Sequence, residues 1–384
     1  MSNNKKVLIT FLGNIDYDTR CNNLFNSFSE KGYDVEFIGF DWLTENFSTT
    51  KGKKTVYKLS KKSLSLFFYL KFYSLLKLKV LSKKFDIIFA EDLYCLPVCI
   101  IAGKLKGAKV IYDCRELFGF LAGLKNKKFI QKFWSWIERL FIRKADLILT
   151  TGEMDSEFIR KQYNLHNDLV IRNLPLYKKS DFPMDYYSLL GIDKLKKVLL
   201  YQGVVLHGRG LKMIFEFLQT SDDFVLVVLG SGEMIGYYKN LSSQMKLHDK
   251  VFFVGKIPQD KLMNYTAGAF VGLSLIENIS KSYYYALPNK LFEYIMAEIP
   301  VIATDLPQMK KIIDEYKVGL SVNENDIGEL RNALQRLKED VEFYNRIKSN
   351  CKIASEKLNW ANEINQLFNK LQSLLLINTN NVQR

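Results

Sequence analysis

The chain has 384 residues, 48% of them hydrophobic and 25% charged. That length favours two domains, each large enough to bury its own core, and the composition excludes collagen-like, repetitive and disordered classes. Its formal charge is +14: 29 Lys and Arg against 18 Asp and Glu in residues 1–176 give +11, and the remaining 26 against 23 give +3. A basic first half suits an anionic partner or, more simply, a soluble surface.

The N-terminus, MSNNKKVLIT, runs straight into a strand-like segment without the apolar core of a signal peptide. Apolar runs alternate with helical stretches from there on. In the first half they are Val7–Leu12, Val35–Phe40, Asp86–Ala90, Lys109–Tyr112 and Asp146–Thr151. In the second they are Val198–Gln202, Phe224–Leu229, Val251–Val254, Ala269–Leu275 and Val301–Thr304. Runs that are apolar throughout fit strands buried on both faces, and their alternation with helices implies parallel sheets. The pattern pauses at IRNLPLYKKSDFP, residues 171–183, where the linker is placed. The expected division is 1–175, 176–355 and a helical tail at 356–384. The fold class is α/β, with two Rossmann-like domains facing a cleft at the carboxyl ends of their strands.

Two basic, aromatic segments stand out. Lys51–Lys84 has eleven lysines and no acidic residue, interleaved with Phe67, Phe68, Tyr69, Phe72 and Tyr73. Lys125–Lys144 carries Phe129, Phe133, Trp134, Trp136, Ile137, Leu140 and Phe141 among lysines and arginines. Both fit helices lying on an anionic membrane surface, or helices whose aromatics pack on a sheet while their lysines face water. The most apolar stretch, Ser63–Leu76, is too short to span a bilayer and contains Lys71. No nucleic-acid module accompanies the charge, so nucleic acid is not an expected partner. The five cysteines form no C-x-x-C pair and the three histidines no metal-ligand spacing, so reduced thiols, a cytosolic setting and no protein-held zinc are expected.

The candidate chemistry sits at strand-to-helix turns. After the first strand, Gly13 leads a polar loop through Asp18 to Arg20 and a helix, an arrangement that serves either a ligand or an ordinary turn. VIYDCRELF places Asp113, Arg115 and Glu116 past a buried strand, to position an acceptor, handle a proton or pair locally. In the second half, YQGVVLHGRGL places Gly203, Arg209 and Gly210 in a loop where the arginine suits a diphosphate. LGSGE with Gly232 and VFFVGKIP with Ile257 repeat the strand-to-loop pattern. In YYYALPNKLFEYIMAEIPVIAT, Pro288 opens a helix whose early N–H groups, from Asn289 through Leu291, face a phosphate. Lys290 adds charge there, and Glu293 suits the paired hydroxyls of a ribose.

These motifs, in this order, resemble the retaining GT-B glycosyltransferases of family 4, over nearly the whole chain. The resemblance is carried by Asp18–Arg20, YDCREL, IRNLP, YQG…RGL, GSGE, the region of Lys250–Ile257 and ALPNKLFEYIMAEIPVIATDLP, and by Asn359-Trp360 opening a C-terminal helix. It implies the GT-B fold, with that helix returning to the first domain. It implies transfer of a sugar from a nucleoside diphosphate sugar with retained anomeric configuration, and no cofactor or essential metal. Arg209 matches the residue gripping the diphosphate, Glu293 the second Glu of the E-x7-E motif, which binds the ribose, and Ile257 the backbone contact to the base. Tyr285 stands where the first Glu falls, as in a subgroup reading LPNKLFEY; Val204 replaces a second basic residue, and Arg115 a histidine. The implied roles are Arg209, Lys290, Arg115 and Glu116 in catalysis and Asp18, Arg20 and Asp113 on the acceptor side. The implied acceptor is a glycan or lipid-linked glycan at the cytoplasmic membrane face, in surface polysaccharide synthesis. The alternatives are a sugar-nucleotide epimerase on the same fold and a non-catalytic partner that binds a nucleotide sugar.

Overall fold

The computed structural model describes residues 4–42, 48–60, 65–121 and 127–381. The chain forms two compact units, residues 1–172 with 364–384, and residues 173–363. The break at 172/173 falls at the start of a stretch, 171–185, that forms neither helix nor strand.

In the first unit, strands β1 (Lys6–Phe11), β2 (Asp34–Asp41), β3 (Thr49–Lys51), β4 (Lys54–Lys58), β5 (Ile87–Ala90), β6 (Lys109–Cys114), β7 (Leu147–Thr150) and β8 (Asp168–Val170) make one sheet. Its order is β3-β4-β2-β1-β5-β6-β7-β8, and every pair is parallel except the β3–β4 hairpin. Helices α1 (Thr19–Glu30), α2 (Ser65–Ser82), α3 (Leu96–Lys106), α4 (Lys128–Phe141) and α5 (Glu153–Tyr163) supply the crossovers. All five expected apolar runs lie in this sheet. The hairpin was not expected, because Lys51–Lys84 reads as one basic segment. The structure divides it: β-branched Thr49, Thr50, Thr55 and Val56 flank a two-residue turn opened by Gly52 in the left-handed region, and only Ser65–Ser82 is helical. Residues 61–64 and 125–126 of the two basic segments lie outside the described residues.

The second unit contains α6 (Tyr186–Leu190), β9 (Lys197–Gln202), α7 (Leu211–Leu218), β10 (Phe224–Leu229), α8 (Ile235–Gln244), β11 (Val251–Gly255), α9 (Gln259–Ala267) and β12 (Val271–Ser274). It continues with α10 (Lys281–Tyr284), α11 (Asn289–Met296), β13 (Val301–Thr304), α12 (Pro307–Tyr316), β14 (Gly319–Val322), α13 (Ile327–Glu339) and α14 (Val341–Lys357). The all-parallel sheet has the order β11-β10-β9-β12-β13-β14. Every side chain of β10, FVLVVL, is buried, as a strand covered on both faces requires. The short edge strand β14 was missed because GLSV has too few apolar residues to register as a run.

The last helix, α15 (Trp360–Asn381), is capped by Asn359, whose Oδ1 accepts the Asn362 N–H at 3.1 Å. From Ile364 on it belongs with the first unit. There Phe368 packs its ring 4.9 Å from Phe28 and under the Lys31 ammonium. The five cysteines are buried and free.

Candidate functional site

The strand order reverses between β9 and β12, the place where an open parallel sheet offers a crevice at its carboxyl edge. The two strands pair only at Val271–Leu199 and Gly272–Leu200, then part. Tyr294, fully buried on α11, fills the gap. Its hydroxyl accepts the Gln202 N–H at 3.1 Å and lies 3.2 Å from the carbonyls of Leu200 and Leu273. Gly272 is required here because a Cβ would enter the Tyr294 ring.

One turn of α11 then presents the charged groups to this crevice. Lys290 is buried, its ammonium 3.7 Å from the centroid of the Tyr201 ring and facing Gly203. Burial first, and the nearby Arg209 charge second, pull it well below the ordinary ammonium value of 10.5; Glu293 acts the other way. Glu293 is pushed up by burial and accepts a hydrogen bond from the Gln202 amide. The other end of that amide accepts from Thr266 Oγ1 at 2.8 Å, so the carboxylate is held by a side chain that is itself fixed. Arg209 lies with its guanidinium carbon 4.5 Å from the Tyr283 ring centroid, and its buried Nε has no hydrogen-bond partner among the described residues. A buried N–H donor without an acceptor is uncommon and suits an anion. Asn289 is exposed at the helix start. Leu291, expected to offer its N–H, does not: that group donates to Pro288 C=O at 3.1 Å and the side chain is core.

The glycine loops around the crevice are pressed together through their backbones. Gly203 N–H donates to Leu229 C=O at 2.9 Å, Val205 N–H to Ser231 C=O at 3.1 Å, and Gly230 N–H to Gly255 C=O at 2.7 Å. Gly210 (φ +75°) and Gly232 would drive a Cβ into the carbonyls of Leu275 and Val205. Only Gly203, at φ +115°, combines a left-handed backbone with the Lys290 ammonium as its neighbour. Ile257 follows β11, half-buried against the same core.

In the first unit the corresponding reversal lies between β1 and β5. Gly13 ends the β1 turn, its carbonyl accepting from Phe40 N–H at 3.0 Å. Arg20 and Asp113 do not project toward a ligand. Both side chains are fully buried and paired at 2.5 and 3.0 Å, and Arg20 also donates to Ile171 C=O at 2.8 Å. They tie α1, β6 and the end of β8 together, so their expected place beside an acceptor is corrected to an internal strut. Arg115 donates to Asp18 at 2.6 Å, over the Phe11 ring. Burial would raise the Asp18 carboxyl, but the Arg115 charge and hydrogen bond outweigh it and hold it low. This pair is partly exposed, and Glu116 beside it is exposed. Glu91, not singled out in the sequence, is fully buried below them, and burial and Asp113 push its carboxyl up.

Sequence reasoning also missed Tyr201, Gln202, Thr266 and Tyr283. Each is uncharged, and what marks it is a contact made by the fold: Tyr201 with Lys290, Gln202 with Glu293, Thr266 with Gln202 and Tyr283 with Arg209.

Residues 189–353 match the family model "Glycosyl transferases group 1", and residues 18–172 match "Glycosyltransferase Family 4". A relative from Haemophilus influenzae, described as an uncharacterized glycosyltransferase, is 22% identical over 87% of this chain and 90% of its own. Among solved structures, sucrose-phosphate synthase from Thermosynechococcus elongatus superposes with a TM-score of 0.80 at 16% identity, covering 97% of this chain and 100% of that one. HepE from Anabaena, solved in complex with UDP, gives 0.69 at 16% identity over 96% and 100%. The lipopolysaccharide outer core galactosyltransferase WaaB gives 0.64 at 15% identity over 96% and 99%.

Proposed function

The chain is a glycosyltransferase of the GT-B type, and we propose that it moves a sugar from a nucleoside diphosphate sugar to a glycan or lipid-linked glycan with retention at the anomeric carbon. One observation carries the donor assignment. Lys290, Arg209 with its unpartnered Nε, and the start of α11 gather unspent positive charge at the β9–β12 crevice, beside a carboxylate fixed by Gln202.

The diphosphate seats against Arg209, Lys290 and the N–H groups of Asn289 and Lys290, while Glu293 accepts the ribose hydroxyls. As the bond from C1 to the diphosphate oxygen breaks, charge grows on the leaving group, and fixed cations stabilise that state more than the bound substrate. The acceptor oxygen bonds to C1 on the same face and its proton passes to the departing diphosphate, so no covalent enzyme intermediate is involved. No metal is needed, because the cations and the helix terminus take its role. Recognition of the acceptor is assigned to Asp18, Arg115 and Glu116. The reaction belongs to bacterial surface polysaccharide synthesis, on the cytoplasmic face of an anionic membrane; no helix among the described residues is long and apolar enough to cross one.

The test is thermal unfolding of wild type, Arg209→Ala and Glu293→Ala with UDP, GDP, TDP and CDP in excess EDTA. One nucleotide at a hundred times its Kd stabilises wild type by about 2.7 kcal/mol. Neither variant responds, and replacing EDTA with magnesium leaves the wild-type shift unchanged. A shift that appears only with magnesium overturns the metal-free reading. No shift with any of the four removes the donor site from this crevice.

A further inference from the structure

The two basic segments look equivalent in sequence, and the fold makes them different. On α2, Phe68, Phe72, Leu76 and Val80 point into the core at successive turns. Its Tyr69 ring packs 5.8 Å from Tyr94 and 5.5 Å from Trp134 of α4. Phe67, Leu70 and Leu78 are exposed, but Lys71, Ser74 and Lys77 interrupt them. On α4 one exposed stripe is apolar along its length, with the exposed Lys132 and Arg139 at its margin. Phe129 (90% exposed), Phe133 (52%), Trp136 (54%) and Leu140 (39%) recur at the spacing of one helix face over three turns.

That face is held outward by the opposite one. Glu138, the single acid of α4, is buried, and both its oxygens are taken: Tyr112 of β6 donates to Oε1 at 2.8 Å and Tyr163 of α5 to Oε2 at 2.7 Å. One turn earlier, Trp134 is buried with its ring 4.7 Å from Tyr94. Rotating α4 to bury the stripe would carry Glu138 and Trp134 out of their pocket and leave the buried Tyr112 and Tyr163 hydroxyls without their acceptor.

We propose that the Phe129–Phe133–Trp136–Leu140 face of α4, fixed outward by Glu138, is the surface that seats this enzyme on an anionic lipid bilayer. This rests on the membrane contact proposed above and narrows it to one helix. Charge selects the occupant. Lys127, Lys128, Lys132, Arg139, Arg143 and Lys144 are all exposed, and no exposed acid on α4 offsets them. A second copy would bring cation against cation. A convex stripe of Phe, Trp and Leu with cations along its margin matches an interface between acyl chains and anionic headgroups.

The experiment is sedimentation of the full chain with vesicles of phosphatidylcholine, alone or with an equal part of phosphatidylglycerol. The variants are Phe129→Ser/Phe133→Ser/Trp136→Ser on α4 and Phe67→Ser/Leu70→Ser/Leu78→Ser on α2. Wild type binds the mixed vesicles and is released by salt. The α4 variant, with an unchanged thermal midpoint, partitions about tenfold less, and the α2 variant stays within about twofold of wild type. Wild-type binding that survives the α4 substitutions overturns this assignment while keeping the membrane reading. Wild type that binds neither vesicle overturns both. A wild-type dimer that the α4 variant converts to monomer assigns the face to a second copy instead.

Discussion

Lys290→Met is expected to raise the stability of the nucleotide-free enzyme while abolishing its response to nucleotide. The ammonium is buried against the Tyr201 ring, and its depressed affinity for a proton is the mark of a charge whose desolvation is not repaid until an anion arrives. Methionine fills similar space without that penalty, and a gain of about 1 kcal/mol is the scale for relieving strain at a functional site. The pH dependence follows from the sign of the shift. The folded protein binds the proton less tightly than the unfolded chain, whose lysine keeps its ordinary value of 10.5. The destabilisation is therefore full below the depressed value, fades as pH rises from there to 10.5, and is absent above it. The advantage of methionine shrinks over the same window. Nucleotide binding has the opposite preference, since a diphosphate favours the charged ammonium; binding takes up a proton and weakens as pH rises through the depressed value. Thermal melts of both proteins across pH 6–10, with and without the nucleotide that stabilises wild type, read all of this. A methionine variant that is less stable than wild type and still gains the full 2.7 kcal/mol or so from a hundredfold excess would show that Lys290 is a packing residue.

Arg20→Met is expected to destabilise the first unit by about 3–5 kcal/mol, the cost of leaving one member of a buried ion pair without the other. Asp113 would remain fully buried, close to the equally buried Glu91, which already feels its charge. The Ile171 carbonyl would also lose its donor, releasing the end of β8 where the first unit hands over to the second. The double variant Arg20→Met/Asp113→Leu removes both charges and should regain most of the loss. Hydrogen exchange followed by peptide mass spectrometry suits a two-unit chain: protection should fall in α1 and β6 and stay unchanged in β9–β14. Equal stability of the single and double variants would mean that Asp113 left without Arg20 carries no burial cost, and would overturn this account of the loss. A single variant that keeps wild-type protection but loses glycosyl transfer would return Arg20 to the acceptor side.

Much of the architecture is written in local pattern. The ten apolar runs that the sequence marks as strands all lie in the two sheets, because a strand covered on both faces has to be apolar at every position. β10 is the clearest of them. The elements that escaped, β3, β4, β8 and β14, are short or lie at the sheet edges, where exposure permits Thr, Lys and Ser and the apolar signal disappears. Arg209, Lys290 and Glu293, proposed above to hold the donor, were legible for a related reason: a glycine turn leading into a helix is a local device, and charge beside it stands out.

Tertiary structure decided what those charges touch. Gln202 grips Glu293 and Tyr201 lies beneath Lys290 across about ninety residues of chain, and Arg20 reaches Asp113 across 93 and Ile171 across 151. The loop Asp18–Arg20 and the segment around Asp113 read alike in sequence, as charges at the ends of buried strands. The fold turned Arg20 and Asp113 inward as a strut and left Asp18 and Arg115 partly exposed. It likewise separated two basic aromatic helices that composition had made twins, because Glu138 found two tyrosine hydroxyls inside and thereby committed the apolar side of α4 to the outside. Periodicity records which residues share a face of one element. Which face is turned in depends on partners far along the chain, and only the packing of the elements supplies them.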